Sequence, residues 1–557
     1  MKKYTVLTML FISLKLTFSQ VPPPPLFSGE TYTGLYSASY DYQGNGSVQL
    51  LIEDPTSNPH YLIAGMMGVR DSNDPAPFIN RFTYGAVSDD AGLTWWSSQI
   101  YNIRSGFPQI AYINGTDFFV QHQGSPNTVT VYRDVAMGAF SFEMFTPPQL
   151  LPNGTWCGIA GNPAGSQLSV FATVNNSISP FPIYKITSIT GGNSWNSSWT
   201  LIPNISGPSG AYSCFASTGG LLGIAGFNYD SMLINRGSST MYYFKSTNYG
   251  ATFDSSFIFF RPYYLGLLDT VYHDIECGIQ GIYSGSEPHI VFGVYGSAAI
   301  SLPNNFLAYR HSKILHWSPS TGVTTIANDT NSPAITDTIN NMLLAPRCQP
   351  SIGRLSNGTL VCVFTGLTRG HTQVVGNGQT FITGDIYLSY SSNNGLNWSQ
   401  PANFTNTPGI EEKHPSILPS TYNNIAKIIY FRDMKAGYYA LNQELGKAPY
   451  YCIMKKSDLT EINNIKNIIP EEFSLLQNYP NPFNPVTNIG FTIPVTGFVQ
   501  ITIYNALGKE IESLVNAELT PGTYKAVWNA ANYPSGVYFY QLKAGGFTKT
   551  MKMILVK

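Results

Sequence analysis

The chain has 557 residues, a formal net charge of −1 at pH 7 and only 11% charged residues, against about 25% in an average soluble domain. With no block of like charges in it, it is excluded as a partner of nucleic acid or of an anionic membrane surface. Its length exceeds one ordinary core unless that core is a closed ring of repeated units. Aromatics reach 14%, with 51 glycines, which is the composition of short strands, tight turns and stacked rings and points to an all-β fold.

In chain order, "MKKYTVLTMLFISLKLTFSQ" opens with Lys2 and Lys3, continues with an apolar run broken only by Lys15, and ends on the small residues Thr17 and Ser19. That is the layout of a secretory signal peptide over 1–19; a structural first strand is the alternative. "VPPPP" follows in a Pro-rich linker (20–29) that continues neither helix nor ladder. No other stretch approaches the ~20 apolar residues of a membrane span, so the mature chain is expected to be exported without a transmembrane segment.

From residue 30 to 456 the sequence repeats. "TWCGIAG" (Cys157), "YSCFAST" (Cys214), "IECGIQG" (Cys277) and "PRCQPSIG" (Cys348) each precede a more apolar run such as "LSVFATV". "FPQIAYING" and "KHPSILPS" begin alike without the cysteine, and a poorer start lies near "YDYQGNGSVQLLI". Starts about 60 residues apart with strand-like runs predict propeller blades, about seven of them, with six as the alternative count.

A second motif falls late in each unit. "SDDAGLTWW" presents Ser88, Asp90, Gly92 and Trp95, and clear copies present Asn248, Gly250 and Phe253, then Asn393, Gly395 and Trp398. "SITGGNSW" and "SPSTGVTT" are eroded copies, "DVAMGAFSF" is fainter, and the last unit offers only "NQELGKAP". The pattern suits a hairpin turn: the glycine takes positive φ, and the Asp or Asn two residues earlier accepts bonds from the turn's own amides. The aromatic residue is expected to pack between neighbouring blades. These residues resemble Asp-box (BNR) repeats of sialidases and other β-propellers. The resemblance implies a propeller with the boxes at its periphery as scaffold, away from a central pocket.

After a polar linker (457–472), residues 473–557 alternate strictly: Val499, Ile501 and Ile503 share one face, Met551, Met553 and Leu555 another. This predicts a small immunoglobulin-like β-sandwich. "YPNPFNP", "IYNALGKEI", "WNAANYPSGVYFYQL" and the terminal "KMILVK" closely resemble the type A C-terminal sorting domain of the type IX secretion system. The resemblance implies the type IX machinery as partner and a secreted or outer-membrane-surface location in a Gram-negative bacterium.

Charged clusters near the segments that open each unit supply the candidate site residues. Ligand-binding candidates are Arg70, His273, Asp274, Arg347, His414 and Arg432; catalytic candidates are Asp71, Glu412 and Tyr438. The sialidase resemblance implies three arginines clamping a substrate carboxylate, a Tyr–Glu nucleophile pair and an acid/base aspartate, and Arg70, Arg347 and Arg432 with Asp71 (or Asp74), Glu412 and Tyr438 could fill those roles. The early Arg-Ile-Pro of that family is missing. Another glycosidase would need two carboxylates across a cleft, such as Asp274 or Glu276 opposite Glu412. Loop ion pairs and turn caps are the structural alternative for each cluster.

The four opening cysteines could ring the channel, but no His or Cys stands at ligand spacing from them, so no metal is expected. Buried free thiols are the expectation, with Cys348–Cys362 the best disulfide candidate. Loop oxygens could hold a structural Ca²⁺, yet no EF-hand-like string is present, and no cofactor is indicated. Three functions remain open on sequence: a secreted module binding glycan or another extracellular ligand, a glycoside hydrolase of sialidase-like or other type, and a structural surface protein.

Overall fold

The computed structural model describes residue 24 and residues 26–557, except 38–48, 57–59, 71–79, 151–152, 175–180, 208–211, 218, 230–238, 255–277, 296–299, 302–306, 309–311, 329–346, 375–379, 437–448, 459–472, 479–480, 496 and 520–521. The described residues form an all-β chain of two parts, a seven-bladed propeller and a β-sandwich.

Each blade is an antiparallel sheet whose first strand lies innermost. Blade 1 is Leu51–Glu53, Leu62–Gly68, Phe82–Ser88 and Trp96–Gln99, and blade 2 is Ser105–Ile113, Thr116–Gln123, Thr128–Asp134 and Phe142–Phe145. Blade 3 runs from Gly154–Gly161 to Thr200–Gly207, and one parallel bridge joins it to blade 4. Blade 4 has Tyr212–Ala216, Leu222–Tyr229 and Ser239–Ser246, its fourth strand reduced to the bridge Lys245–Asp254. Blades 5 and 6 open with Ile279–Ser284 and Arg347–Arg354. Blade 7 takes Glu411–Ile417, Ile425–Asp433 and Tyr450–Asp458 from one end of the propeller sequence and its outer strand, Glu30–Ser37, from the other.

The core is a set of seams, because each sheet buries both faces against its neighbours. Seven apolar clusters lie one at each seam, and that between blades 7 and 1 (Leu35, Leu62, Met66, Ile429, Phe431, Met454) closes the ring. Each fully buried Ile, Leu or Phe there contributes about 1.5–3 kcal/mol.

The Ser-x-Asp/Asn-x-Gly turns join the third and fourth strands. Ser88 Oγ donates to Asp90 Oδ1 at 2.7 Å and accepts from Gly92 N, while Asp90 also accepts from Leu93 N, Thr94 N and the Thr94 hydroxyl. Asn248 and Asn393 accept from the amides of Thr252 and Asn397 at 2.8 and 3.0 Å, so an amide oxygen performs the same local task. Trp95, Phe253 and Trp398 pack into the seam with the preceding blade.

The glycine has a second role that the sequence does not reveal. A Cβ on Gly92, Gly250 or Gly395 would lie 2.2 Å from Met454 Cε, 2.5 Å from Ser169 Oγ or 2.2 Å from His316 Cε1, all on the preceding blade. Thr31 donates to Gly92 O and Thr324 to Gly395 O, so each turn is also a staple between blades.

Two expectations need correction. The last blade has no such turn, since its third and fourth strands come from opposite ends of the propeller sequence; "NQELGKAP" falls between its second and third strands and lies almost wholly outside the described residues. The opening cysteines are not equivalent. Inner strands bulge at a non-glycine residue of positive φ: Phe107, Trp156, Gln349 and His414. Cys157 follows that residue, where Pro108, Pro350 and Pro415 stand in the other three blades, whereas Cys348 precedes it. Cys348 and Cys362 form no disulfide with each other, because Cys362 stands opposite Ile352 and Cys348 opposite Thr365. Cys157, Cys362 and Cys452 are buried in three different seams, and Cys277 lies outside the described residues.

The C-terminal part has its own core. A three-stranded sheet (Ser474–Leu475, Val486–Ile493, Gly522–Asn529) packs on a four-stranded one (Glu510–Leu519, Gly497–Asn505, Gly536–Ala544, Phe547–Leu555). Between them lie Val499, Ile501, Ile503, Trp528, Tyr540, Met553 and Leu555.

Candidate functional site

The inner strands run side by side along a channel that a polar belt closes. At one level stand Gln49, Ser213, Gln280, Ser351 and Ser416 from blades 1, 4, 5, 6 and 7. Each accepts from a backbone amide of the next blade: Ser416 from Leu50, Ser351 from Ile417, Gln280 from Ile352, Ser213 from Gly281, and the Gln49 carbonyl from Ile110. Gln280 Nε2 reaches across to Gln49 Oε1 at 2.9 Å and Ser351 donates to Gln280 Oε1 at 2.6 Å. Because every belt group answers a backbone amide of the next blade, the belt ties six blades together around the channel.

On the side where the inner strands end, a cavity of about 420 Å³ opens below the belt. Tyr112, Phe215, Tyr283 and Tyr422 supply rings, and Gln49, Gln109, Gln280, Ser213 and Ser420 supply polar groups. Phe215 and Tyr283 lie 5.1 Å apart, and Tyr283 shares a 2.7 Å hydrogen bond with Tyr243. Gly281 carries no side chain because a Cβ would meet the Phe215 ring at 2.1 Å. Tyr112 donates to Asp54 at 3.0 Å. Among the described residues, two charged ones line the cavity, Glu53 and Arg354. Glu53 is ion-paired with Lys427; burial pushes its carboxyl up, and Lys427 opposes that shift.

The candidates chosen from sequence stand on the other side of the belt, at three separate seams. Arg432 is fully buried between blades 6 and 7, where its guanidinium meets Glu412 Oε1 at 2.6 Å and Glu30 Oε1 at 2.9 Å. Tyr430 donates to the same Glu30 oxygen at 2.6 Å. Burial raises the Glu412 carboxyl to about 7 against the pull of Arg432. Arg70 is sandwiched between Tyr36 and Tyr84 at 4.1 and 4.2 Å, at the seam of blades 7 and 1. Arg347 is fully buried and donates to the Ser312 carbonyl on blade 5 at 3.1 Å. Each of the three arginines thus answers its own partners at its own seam: two carboxylates for Arg432, two rings for Arg70 and a backbone carbonyl for Arg347. His414 is buried, and burial followed by the adjacent Lys413 drives its pKa well below the usual value, leaving a neutral ring. Asp71, His273, Asp274 and Tyr438 lie outside the described residues.

Sequence reasoning missed the belt and cavity residues, although the signal was near. Gln109 and Tyr112, Ser351 and Arg354, and Ser416 and Tyr422 lie within or just after the segments that open their blades, downstream of the charged positions that drew notice. Also missed was a buried pair, His371 Nδ1 to Asp385 Oδ2 at 2.7 Å. Burial pushes the Asp385 carboxyl up, but His371, Thr368 and the Thr407 amide hold it below its ordinary range. Among the described residues no group of three or more His, Cys, Asp or Glu is placed to hold a metal ion, and no helix is long and apolar enough to cross a membrane.

Residues 477–557 match the family of secretion system C-terminal sorting domains. The chain is thus exported by type IX secretion, to be secreted or held at the outer-membrane surface of a Gram-negative bacterium. No curated protein matches the sequence. Solved structures similar to it include the phage phi92 endosialidase (11% identity, 94% of this chain and 87% of that one, TM-score 0.37). Others are the polysaccharide lyase Uly1 (10%, 77% and 93%, 0.41) and the Trypanosoma rangeli sialidase with 2,3-difluorosialic acid (10%, 95% and 88%, 0.36).

Proposed function

We propose that the propeller is an exported binding module that holds an extracellular carbohydrate in the cavity below the belt. The observation that carries this reading is the lining: four aromatic rings and several amides and hydroxyls, with the one carboxylate tied to Lys427. Rings stack on the apolar faces of sugars while amides and hydroxyls answer their hydroxyl groups. A glycosidase outside the sialidase type needs two carboxyl groups facing each other across the scissile bond, one of them free to give a proton. Glu53 has no such partner among the described residues of the cavity, and Glu412 is committed to Arg432. The turns with Ser88, Asp90 and Gly92 belong, on this reading, to an Asp-box scaffold, and the count of seven blades speaks against the six of a sialidase.

The test uses the full chain, titrated calorimetrically with a panel of oligosaccharides and assayed in parallel on fluorogenic glycosides that include a sialoside. Binding without turnover is expected, and Tyr422→Ala should weaken it by about tenfold through loss of a stacking face. Steady turnover of any glycoside would overturn the reading.

A further inference from the structure

We propose that the ligand of this cavity carries an anionic group, a carboxylate or a sulfate ester, which Arg354 recognises; the proposal rests on the binding reading above.

Arg354 ends the inner strand of blade 6, and its backbone is fixed on both sides. Its amide donates to the Pro419 carbonyl at 3.0 Å, its carbonyl accepts from Thr421 N at 2.9 Å, and it bridges Ser420 in parallel. Arg354 is thus fixed in the wall of the cavity, which Ser420, Thr421 and Tyr422 also line. Its guanidinium makes no hydrogen bond or ion pair with a described residue, and its Nε is buried without an acceptor. The Nε atoms of Arg104 and Arg347 are likewise without an acceptor, but the rest of their guanidiniums is answered. Arg432 has two carboxylates, Arg347 and Arg104 donate to backbone carbonyls, and Arg133 pairs with Glu143. A buried guanidinium N–H without an acceptor is costly, and an acceptor that fits the fork relieves that cost.

The rest of the lining decides the sign of that acceptor. The cavity's other charged residue, Glu53, is neutralised by Lys427, so it offers Arg354 no counter-charge and does not repel an anion strongly. The charged-residue neighbour in range on blade 5, His289, is held neutral because burial lowers its pKa to about 4. What remains is one positive charge beside neutral amides and rings. Carboxylate and sulfate both present two coplanar oxygens to a guanidinium edge, which neutral hydroxyls cannot do. A sugar ring stacked on Tyr422 would bring a ring substituent to the neighbouring Arg354.

The experiment compares three ligands on the intact chain by calorimetric titration: a hexuronic-acid oligosaccharide, the neutral oligosaccharide obtained by reducing its carboxyls, and a sulfated counterpart. At least one anionic form should bind tenfold or more tightly than the neutral one, and the advantage should shrink as salt is raised. Which anionic form binds separates carboxylate from sulfate. Arg354→Gln should abolish the advantage of the anionic over the neutral form, while Arg354→Lys should keep part of it. Equal binding of all three, or an anionic advantage that survives Arg354→Gln, overturns this proposal and leaves the carbohydrate reading standing. Binding of none of the three overturns both.

Discussion

Arg432 Nη2 donates to Glu30 Oε1 at 2.9 Å although 402 positions of sequence separate the two residues. The bond lies in a fully buried setting where Glu412 and Tyr430 share the same groups, and Glu30 also accepts from Phe27 N at 2.9 Å. It locks the outer strand of blade 7 in place. Removing one partner of a buried ion pair strands the other, so Glu30→Ala is expected to destabilise the chain by about 3 kcal/mol, read from urea unfolding. Glu412 keeps half of the pairing, which places the loss at the low end of the range for such breaks.

Asp90 and Asn248 do the same work with different charge. Asp90→Asn should therefore change unfolding little, whereas Asp90→Ala leaves the amides of Leu93 and Thr94 and the Ser88 hydroxyl without their acceptor. We expect a loss of about 1–2 kcal/mol for the alanine variant in thermal or urea melts, by analogy with lost helix caps. Equal effects of Asn and Ala would contradict the turn chemistry.

Gly92 and Gly395 share a positive φ, +87° and +85°, but meet different neighbours. A Cβ on Gly92 strikes the flexible end of Met454, which can turn aside. A Cβ on Gly395 strikes the His316 ring, held by hydrogen bonds to His289 at 2.9 Å and Thr324 at 3.1 Å. Gly395→Ala is predicted to lower the melting temperature more than Gly92→Ala, since both bear the same backbone penalty of about 1 kcal/mol and only one meets a fixed obstacle.

Asp117 supplies the pH dependence. Both its carboxyl oxygens are buried with no donor, and Asp134 stands beside it on the adjacent strand. Burial, then the neighbouring Asp134, raises its pKa to about 8. The folded state thus favours the proton, so stability is full below the ordinary carboxyl range near pH 4 and falls as pH rises toward 8. Asp117→Asn should melt several degrees higher than the natural chain at pH 8 and about level with it at pH 4. A larger gain at pH 4 than at pH 8 would contradict this assignment.

How much was legible in the sequence depended on how local the cause was. The turns could be read because Ser88, Asp90 and Gly92 satisfy one another within five residues. The strands of the sandwich could be read because alternation at Val499, Ile501 and Ile503 is a property of the strand itself. Arg432 and Glu412 were read as site residues because scarce charge stands out in sequence; only the ring brings Glu30 to them and turns a candidate clamp into a clasp. The cysteines seemed aligned by spacing, while the bulge beside Trp156 and Gln349 sets the true register and places Cys157 and Cys348 on opposite sides of it. Arg354 drew no notice because its significance lies in what it does not touch.

The strand pairing that joins the two ends of the propeller sequence lies inside blade 7, between Glu30–Ser37 and Tyr450–Asp458. The opening strand must wait for its partner through the synthesis and translocation of nearly the whole propeller, and until it docks the last sheet presents a bare edge. The entropy of closing so long a loop grows only with the logarithm of its length, so arrival time rather than free energy is what delays completion. A bare edge accepts any strand of the right sequence, and at an export site the nearest one can belong to a second copy. Refolding at rising concentration should accordingly yield a strand-exchanged dimer in sizing chromatography, a product that tethering the two ends of the propeller would suppress.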